Sequence, residues 1–534
     1  MLLRLRPRRS STASPALVVA GLAVAVLALL PLGYVVAFTA TTPVAELRRL
    51  LLRARTVELL VNTIQLTVAG VGASVVLGVA AAWVLERRVV LGRPLWHVLL
   101  VAPLAVPAFV SSYAWISVAP TLNGLSGALL VVVSSYFPLV YLPVVAMLRG
   151  MDPALEDTAR TLGLGEWAVF ARVTLPQVRP AVLGGALLVA LHLLSEFGAL
   201  QLVQLPTFTT AIYDQYRSSF AGPAATALAS VLLLACLLLL VTEQGLRGRG
   251  RHARVGGGTA RPARPRRTRA RLPLTAALAT LAATTLLVPL GILVHWLLLD
   301  TTATVDTARL TSTLVRTVIL GVVAAAVTVL LALPVGWLAV RHRGRLGTLV
   351  ERSTWFASAL PGIVVALTLV TLTIRYARPL YQTVWMLLAA YTILFLPRAV
   401  TNVRAALAQA PPGLDEAAHS LGARPLSRFL RISVPLMAPG LGAGAALVFI
   451  AASTELTSTL LLAPTGTRTL ATQFWAHSSA LEYAEAAPYA ALLVGVSLPA
   501  TWLLSRSARR PRPGAAAPPP PPRPLPAMTG SVVR

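Results

Sequence analysis

The chain of 534 residues is 56% hydrophobic and only 12% charged, with a mean hydropathy of +0.75. This composition excludes an ordinary soluble domain and indicates a membrane protein that crosses the bilayer many times. All 46 basic residues behind the formal charge of +28 are arginine. Without lysine the chain cannot form a Walker A loop or a lysine Schiff base, so an ATPase of that type is excluded.

Twelve stretches are apolar over the roughly 20 residues that a membrane helix needs. The sequence therefore predicts an all-α membrane protein with twelve transmembrane helices, arranged as two tandem sets of six. The predicted spans are 16–38, 59–85, 95–118, 126–148, 181–204, 223–242, 273–298, 313–340, 353–374, 383–403, 441–463 and 484–504. The first stretch is too long for the apolar core of a signal peptide, so we expect an uncleaved helix.

The chain divides into a first half, 1–242, a basic linker, 243–272, a second half, 273–504, and a Pro-rich tail, 505–534, which we expect to be disordered. With both termini placed in the cytoplasm, most arginines lie on the cytoplasmic side, as the positive-inside rule requires. The segment 46–55 places four arginines outside and is interpreted as an interfacial helix. We expect the linker to be a solvated tether near an anionic leaflet, not an arm that binds nucleic acid.

Two long polar segments, 152–180 and 412–439, follow the fourth and tenth predicted spans and are alike in sequence. Each reads as a short helix, a glycine turn at Gly163 or Gly422, and a second short helix ended by Pro176 or Pro435. Thr63, Trp83 and Pro107 also recur, as Thr317, Trp337 and Pro361, so the chain is a tandem duplication. Because each half has an even number of spans, both loops are placed on the same side of the membrane.

The second loop, with Glu416-Ala417-Ala418, then Gly422 and Pro435 at the expected spacing, resembles the EAA loop of ABC importer permeases; the first loop matches more loosely. The resemblance implies two tandem type I ABC importer permease halves in a cell membrane. It also implies two copies of a cytoplasmic ABC ATPase and an extracytoplasmic solute-binding protein as partners, with no catalytic residue or cofactor in this chain. The residues expected to couple to the ATPase are Glu156, Asp157, Ala159, Gly163, Pro176, Asp415, Glu416, Ala417, Ala418, Gly422 and Pro435.

Two carboxylates, Glu196 and Glu455, stand at equivalent positions in predicted spans and are costly there, by roughly 2.5–3.5 kcal/mol on insertion scales. They are either paired carboxylates between helices or pathway groups for a cation. Ser195 and Thr454 precede them on the same face, and His192 is a candidate partner of Glu196. Neither carboxylate is a fixed metal site.

The run EFGA…TFTTAIY after Glu196 and the run ELTSTLLLAPTG…TLA around Glu455 resemble those of fused ferric iron importer permeases. That resemblance implies delivery of Fe3+ or a chelate by a binding protein. It also implies transient contacts of the iron with Glu196 and Glu455, with Tyr113, Tyr136 or Tyr141 as further candidates. Permeases for thiamine, 2-aminoethylphosphonate and polyamines share the loop and remain alternatives. A secondary transporter of the major facilitator type is disfavoured because its basic motif follows the second span. A membrane enzyme is disfavoured because the sequence shows no intramembrane nucleophile–base set or metal cluster.

Overall fold

The computed structural model describes residues 14–219, 222–247, 265–266, 270–299, 306–342 and 344–509. Most of the predicted linker, 243–272, and of the predicted tail, 505–534, lies outside these residues. The described part of the chain is helical throughout and contains no strand, apart from an isolated bridge between Arg88 and Arg266. The predicted all-α class is therefore confirmed.

The elements recur in the same order in the two halves. In the first half the helices are Pro15–Thr41, Val44–Leu51, Ala54–Arg87, Arg93–Leu99, Ala102–Ala105, Ala108–Val118, Gly124–Tyr136, Pro138–Gly150, Ala154–Thr161, Glu166–Val169, Phe170–Thr174, Leu175–Ser195, Gly198–Leu202, Phe208–Ser219 and Gly222–Arg247. In the second half they are Arg271–Ala282, Ala283–Leu287, Val288–Leu299, Thr307–Arg341, Arg345–Ala357, Gly362–Tyr376, Arg378–Leu380, Val384–Gln409, Pro412–Ser420, Pro425–Arg428, Phe429–Ser433, Val434–Ser453, Thr457–Leu462, Leu470–Ser479 and Tyr483–Arg509.

The number of membrane-spanning helices is lower than the twelve that the sequence predicts. Within the described residues nine helices are long and apolar enough to cross a membrane, and two bent pairs raise the number to eleven at most. The twelfth predicted span, 484–504, forms the helix Tyr483–Arg509, which is not among those eleven. Nine to eleven spans fit a protein that crosses the membrane many times, while the count of twelve is not confirmed.

The third and ninth predicted spans are broken rather than continuous. The first of them bends by 91° between Arg93–Ala105 and Ala108–Val118, and the second by 104° between Arg345–Ala357 and Gly362–Tyr376. Pro107 and Pro361 stand directly before the second helix of each pair. Proline cannot donate the backbone hydrogen bond that would continue the preceding helix, so both copies break at the same place.

A second duplicated contact supports the equivalence of the halves. The hydroxyl of Thr63 accepts a hydrogen bond from the Phe208 backbone N–H at 3.5 Å, and that of Thr317 accepts one from the Leu470 N–H at 2.9 Å. Each threonine lies on a long helix, and each amide begins the helix after the fifth or eleventh predicted span, Phe208–Ser219 or Leu470–Ser479. The two halves therefore fold by the same long-range contacts, as the sequence repeat predicts.

The two halves interlock through the first helix of each. Pro15–Thr41 packs against Thr307–Arg341 and Arg345–Ala357 of the second half. Reciprocally, Trp296 in the first helix of the second half donates its indole N–H to Ser117 Oγ of the first half at 2.8 Å. One apolar core runs through residues of both halves. A movement of one half is therefore transmitted to the other.

Candidate functional site: two polar loops and two intramembrane carboxylates

The glycine turns of the two loops have the predicted conformation. Gly163 and Gly422 adopt φ of +86° and +79°, the left-handed region that favours glycine. The chain then reverses, and the N–H of the residue after each glycine reaches back in the same way in each copy. Leu164 donates to Ala159 O at 3.1 Å, and Ala423 donates to Ala418 O at 3.0 Å. The two loops thus share one backbone geometry.

The prediction that Pro176 and Pro435 end the second short helix is wrong. In each copy a π-helical turn follows the short helix, at Phe170–Thr174 and Phe429–Ser433, and the chain continues directly into the next membrane helix. The wider turn closes with a bond from Leu175 N–H to Phe170 O, and both prolines follow directly after it, so the hydrogen bond that proline cannot donate falls at this irregular turn. The loop is therefore continuous with the fifth or eleventh span.

The apolar side of each loop is divided between an internal contact and an exposed residue. Phe170 packs edge-on against Trp83 with ring centroids 5.3 Å apart, and Phe429 packs against Trp337 at 5.7 Å. These aromatic pairs fasten each loop to a long helix of its own half, Ala54–Arg87 or Thr307–Arg341. Leu162 and Leu421, in contrast, are 77% and 87% exposed. Large apolar side chains in equivalent exposed positions are typical of a surface that binds another protein.

Glu156 is buried and fastens the first loop to its surroundings. Its carboxylate lies 3.0 Å from Arg87 Nε and accepts a hydrogen bond from Thr174 Oγ1, also at 3.0 Å. Arg160 adds a third contact at 3.2 Å. Arg87 also donates to the carbonyl of Leu148 at 3.2 Å. Since every one of these partners comes from a different turn or element, the first loop is fixed in one position.

Asp157 follows Glu156 but faces outward, and it meets the linker. It pairs with Arg160 at 2.9 Å and with Arg266 at 3.4 Å. Arg266 also exchanges backbone hydrogen bonds with the chain at Arg87 and Val89, both 3.0 Å long. One described part of the linker therefore lies directly against the first loop.

A second ion pair holds the short helix that begins at Glu166. Its carboxylate accepts two hydrogen bonds from Arg88, whose guanidinium also lies 4.7 Å from the Trp83 ring centre. The hydrogen bond from Arg88 is the main reason why the pKa of Glu166, at the loop end of its helix, is held below its usual value. The loop thus carries this carboxylate in its charged form at neutral pH.

The second loop repeats part of this arrangement. Arg341, at the position of Arg87, donates to the carbonyl of Ala410 at 3.2 Å. Ala417 is exposed and Ala418 is half-buried, whereas Ala159 of the first loop is buried. The side chains of Asp415 and Glu416 lie outside the described residues. The backbone of both loops can therefore be compared, but their acidic groups cannot.

Glu196 and Glu455 stand where the fifth and eleventh spans break. The long helices end at Ser195 and Ser453, and short helices begin at Gly198 and Thr457. The fifth span therefore does not run through to 204 as predicted. Each carboxylate accepts a backbone N–H of the short helix that follows, from Ala199 for Glu196 and from Ser458 for Glu455, both at 3.0 Å. Both side chains are half-buried.

Tyr136, not His192, is the partner of Glu196. The Tyr136 hydroxyl donates a hydrogen bond to Glu196 Oε2. His192 instead places Nδ1 2.8 Å from the Leu188 carbonyl and packs its ring on Tyr136, with ring centroids 5.2 Å apart. The predicted pairing of His192 with Glu196 is therefore wrong, because the tyrosine of the neighbouring helix reaches the carboxylate first.

The other tyrosine and hydroxyl candidates lie elsewhere or are already engaged. Tyr113 lies in an aromatic seam between the halves and donates its hydroxyl to the Tyr483 carbonyl at 2.5 Å. Tyr141 is 2.6 Å from His97 Nδ1. Thr454 donates its hydroxyl back to the Ile450 carbonyl of its own helix at 2.9 Å. Of the three tyrosines, the structure brings Tyr136 to a carboxylate.

The two carboxylates lie close together across the interface of the halves. Each is within electrostatic reach of the other. A Cβ added to Gly198 would lie 2.8 Å from the Leu456 side chain, so the two broken segments touch. Arg398, which the sequence analysis passed over, lies within electrostatic reach of Glu455 and of His192. An arginine inside the predicted span 383–403 was the signal that could have found it.

Within the described residues one group of three could supply neighbouring metal ligands, His477, Glu482 and Glu485, whose ligand atoms lie within 4.8 Å of one another. His477 Nδ1 lies 2.7 Å from Glu482 and 3.0 Å from Glu485. Both glutamates are about half exposed, and this geometry is that of an ordinary surface ion pair. We assign no metal to it.

Comparison with known proteins identifies the family. The model of the binding-protein-dependent transport system inner membrane component matches residues 74–246 and 329–513. The Fe(3+)-transport system permease protein FbpB 2 of Haemophilus influenzae is 36% identical over 483 residues, which are 90% of this chain and 96% of that protein. The sulfate transport system permease protein CysT of Escherichia coli is 33% identical over 195 residues, 33% of this chain and 70% of that protein. The molybdenum transport system permease protein ModB of Escherichia coli is 32% identical over 139 residues, 23% of this chain and 60% of that protein.

The family model matches once in each half, and a relative of nearly the same length matches across both. The matched regions include both polar loops and both intramembrane carboxylates. The chain therefore belongs to the inner-membrane permease components of binding-protein-dependent ABC transport systems, with both permease halves in one polypeptide.

Proposed function

We propose that this chain is the membrane subunit through which an ABC importer moves ferric iron into the cell, with both of its termini in the cytoplasm. The observation that supports ferric iron as the substrate is the similarity to the Haemophilus influenzae Fe(3+) permease, which extends over 90% of this chain and 96% of that protein. The sulfate and molybdenum permeases match at most about a third of the chain at comparable identity. Similarity over both halves, including the seam between them, favours a shared cargo.

The two polar loops, 152–180 and 412–439, dock one ATPase subunit each. Leu162 and Leu421 enter the apolar part of the ATPase surface because they are the large exposed side chains at the glycine turns. Gly163, Gly422, Ala417 and Ala418 keep the loop surface small and close-fitting, and Asp157 presents charge to the partner. Ala159 is buried beneath the first loop. Glu156 has a different role: it fastens the loop to the membrane helices.

Movement passes from the loops to the pathway through the continuous helices. Because Pro176 and Pro435 follow a π-helical turn without ending the helix, each loop and the helix behind it move as one lever. These levers end at Glu196 and Glu455, where the two halves meet. Closure of the ATPase subunits on ATP changes the relative position of the loops. The interface around the two carboxylates then opens to one side of the membrane or the other, a shift of population between two states.

The test is uptake of ⁵⁵Fe³⁺ by a strain that lacks this chain, with and without the chain restored, at low external iron. We expect uptake to require the chain and a hydrolysable nucleotide pool. [³⁵S]Sulfate and [⁹⁹Mo]molybdate, the solutes that name the shorter relatives, serve as comparison substrates in the same cells. Restoration of sulfate or molybdate uptake with no change in iron uptake would disprove the proposed cargo. Iron uptake by purified protein in vesicles without any nucleotide would disprove the proposed energy coupling.

A further inference from the structure

Arg398 is a charged residue in the middle of a membrane helix. It lies in Val384–Gln409, one of the nine helices that can cross a membrane, roughly 21 Å from the start of that helix at 1.5 Å per residue. Arginine at such a depth is expensive, and where it occurs it faces a water-filled space or a partner. The residue at the equivalent place in the first half is Leu139, so the duplication alone does not account for the arginine.

The guanidinium of Arg398 is held in place but has no polar partner. It lies over the Phe395 ring, 5.5 Å from the centroid. Its side chain makes no hydrogen bond and no ion pair with another described residue, and it is exposed. It is nevertheless within electrostatic reach of Glu455 from its own half and of His192 from the other half. Arg398 therefore faces accessible space at the interface of the two halves.

One carboxylate beside this space is engaged on both oxygens and the other on at least one. Glu196 accepts hydrogen bonds on both oxygens, from the Ala199 N–H and the Tyr136 hydroxyl. Glu455 Oε1 accepts two, from the Ser458 N–H at 3.0 Å and its Oγ at 3.1 Å. The guanidinium of Arg398 has no such partner among the described residues, and a guanidinium recognises carboxylate and phosphate oxygens by paired hydrogen bonds.

We propose that Arg398 binds an oxyanion in the translocation pathway, so that the cargo passes this point as a ferric ion accompanied by a carboxylate or phosphate counter-ion. This inference rests on the proposed function and adds the chemical class of the transported species. A bare trivalent cation would be repelled by Arg398 at this point. An anion placed between the metal and the guanidinium binds both, so attraction replaces this repulsion. Glu455 then faces the metal.

The first experiment asks whether Arg398 faces an aqueous path. The chain has one native cysteine, Cys236, and it is buried. Arg398→Cys therefore places an accessible thiol in a nearly silent background. The matched control is Leu330→Cys, in the helix Thr307–Arg341, because Leu330 is 65% exposed on an apolar surface and, like Arg398, lies about 16 Å before the end of its helix.

A membrane-impermeant anionic methanethiosulfonate is applied to the two variants in membranes. We expect the Arg398→Cys thiol to react at least tenfold faster than the Leu330→Cys thiol, because thiolates form in water and not in lipid. Equal and slow reaction of both variants would overturn the proposal, since Arg398 would then face the bilayer.

The second experiment measures the anion directly and through transport. Purified wild-type chain and Arg398→Gln are compared for binding of [³²P]phosphate and [¹⁴C]citrate. The same variants, with Arg398→Lys, are compared for ⁵⁵Fe uptake supplied as ferric phosphate or as ferric citrate. The control is Arg404→Gln on the same helix, where the arginine is already paired with Glu351.

With the anion that accompanies iron, we expect Arg398→Gln to lower both anion binding and iron uptake about tenfold or more. Arg398→Lys is expected to keep part of the iron uptake. The control, Arg404→Gln, is expected to resemble wild type. Loss with phosphate alone or with citrate alone identifies the counter-ion. Wild-type uptake by Arg398→Gln with both iron sources would overturn the inference and leave the iron permease intact. Absence of iron uptake by the wild-type chain would instead remove the proposed function.

Discussion

Arg87 Nε lies 3.0 Å from Glu156 Oε1, and both side chains are buried although 69 residues separate them. The pair joins the inner end of Ala54–Arg87 to the short helix Ala154–Thr161. A buried ion pair of this kind has one acceptable geometry, because either charge left alone would cost several kcal/mol. A displacement of the first loop therefore moves the helix Ala54–Arg87 with it, while the loop keeps its own conformation.

Glu156→Gln is predicted to destabilise the protein and uncouple the first loop. Glutamine keeps the size of the side chain but leaves Arg87 buried without a counter-charge, at a cost of about 3–5 kcal/mol. Thermal unfolding in detergent and stimulation of the partner ATPase are the measurements, and both are expected to fall. The control for thermal unfolding is Asp157→Asn, whose exposed pairs contribute about 0–1 kcal/mol; since Asp157 belongs to the proposed ATPase contact, this variant is not a control for stimulation. Equal unfolding temperatures for the two variants would contradict the role given to the buried pair.

Leu162→Glu and Leu421→Glu are predicted to weaken binding of the ATPase subunit without affecting folding. Burying one leucine in an interface contributes about 1.5–3 kcal/mol, so each change is expected to lower affinity roughly tenfold or more, and the double variant more than either. Co-purification with the ATPase subunit and its affinity in detergent are the measurements.

Leu52→Glu is the control for this pair. Leu52 is as exposed as Leu162 but lies between the first two spans, on the side assigned to the exterior. We expect it to bind the ATPase like wild type. If all three variants kept wild-type affinity, the glycine turns would not be the docking surface.

The features that could be predicted from the sequence are those that the duplication repeats. The positive φ of Gly163 and Gly422 follows from glycine placed after a short helix, and the recurrence of Thr63 and Thr317 marks a long-range contact that both halves use. Local chemistry and repetition are enough for such features. The loops could therefore be drawn in outline from the sequence.

Features that depend on tertiary contact could not be predicted in this way. Glu196 has a histidine one turn away on its own helix, but the hydroxyl that reaches it comes from Tyr136 on another helix. The fifth span ends at Ser195 because the Glu196 carboxylate is used to begin a new short helix, which hydropathy does not reveal. The sequence does show an arginine at position 398 within an apolar span, which is costly and therefore informative. It does not show that this arginine lies between the two halves.

Gly422→Val is predicted to lower coupling, whereas Gly422→Asn is predicted to be tolerated. A Cβ at this position would meet no atom within 4 Å, so the penalty comes from the backbone conformation and not from crowding. The φ of +79° costs an L-residue roughly 1–2 kcal/mol, and asparagine tolerates it far better than a β-branched residue. ATPase stimulation and iron uptake are the measurements. Equal activity of the two variants would show that the turn is not maintained in the working complex.

Tyr136→Phe is predicted to impair iron uptake while leaving ATPase binding unchanged. The phenol donates to Glu196 Oε2, and its loss leaves one carboxylate oxygen at the interface of the halves without a donor. A hydrogen bond to a charged group contributes about 1.5–3 kcal/mol, so uptake is expected to fall about tenfold.

Tyr141→Phe is the matched control for this change. It removes the phenol of a residue that is more deeply buried than Tyr136 and contacts His97 instead of Glu196. We expect Tyr141→Phe to reduce stability slightly and to leave both the uptake rate and the apparent affinity for iron unchanged. Tyr136→Phe, in contrast, is expected to lower the uptake rate at every iron concentration. If the two variants lost uptake to the same extent, burial of the phenols would explain the effect, and Tyr136 would have no separate role at the carboxylate.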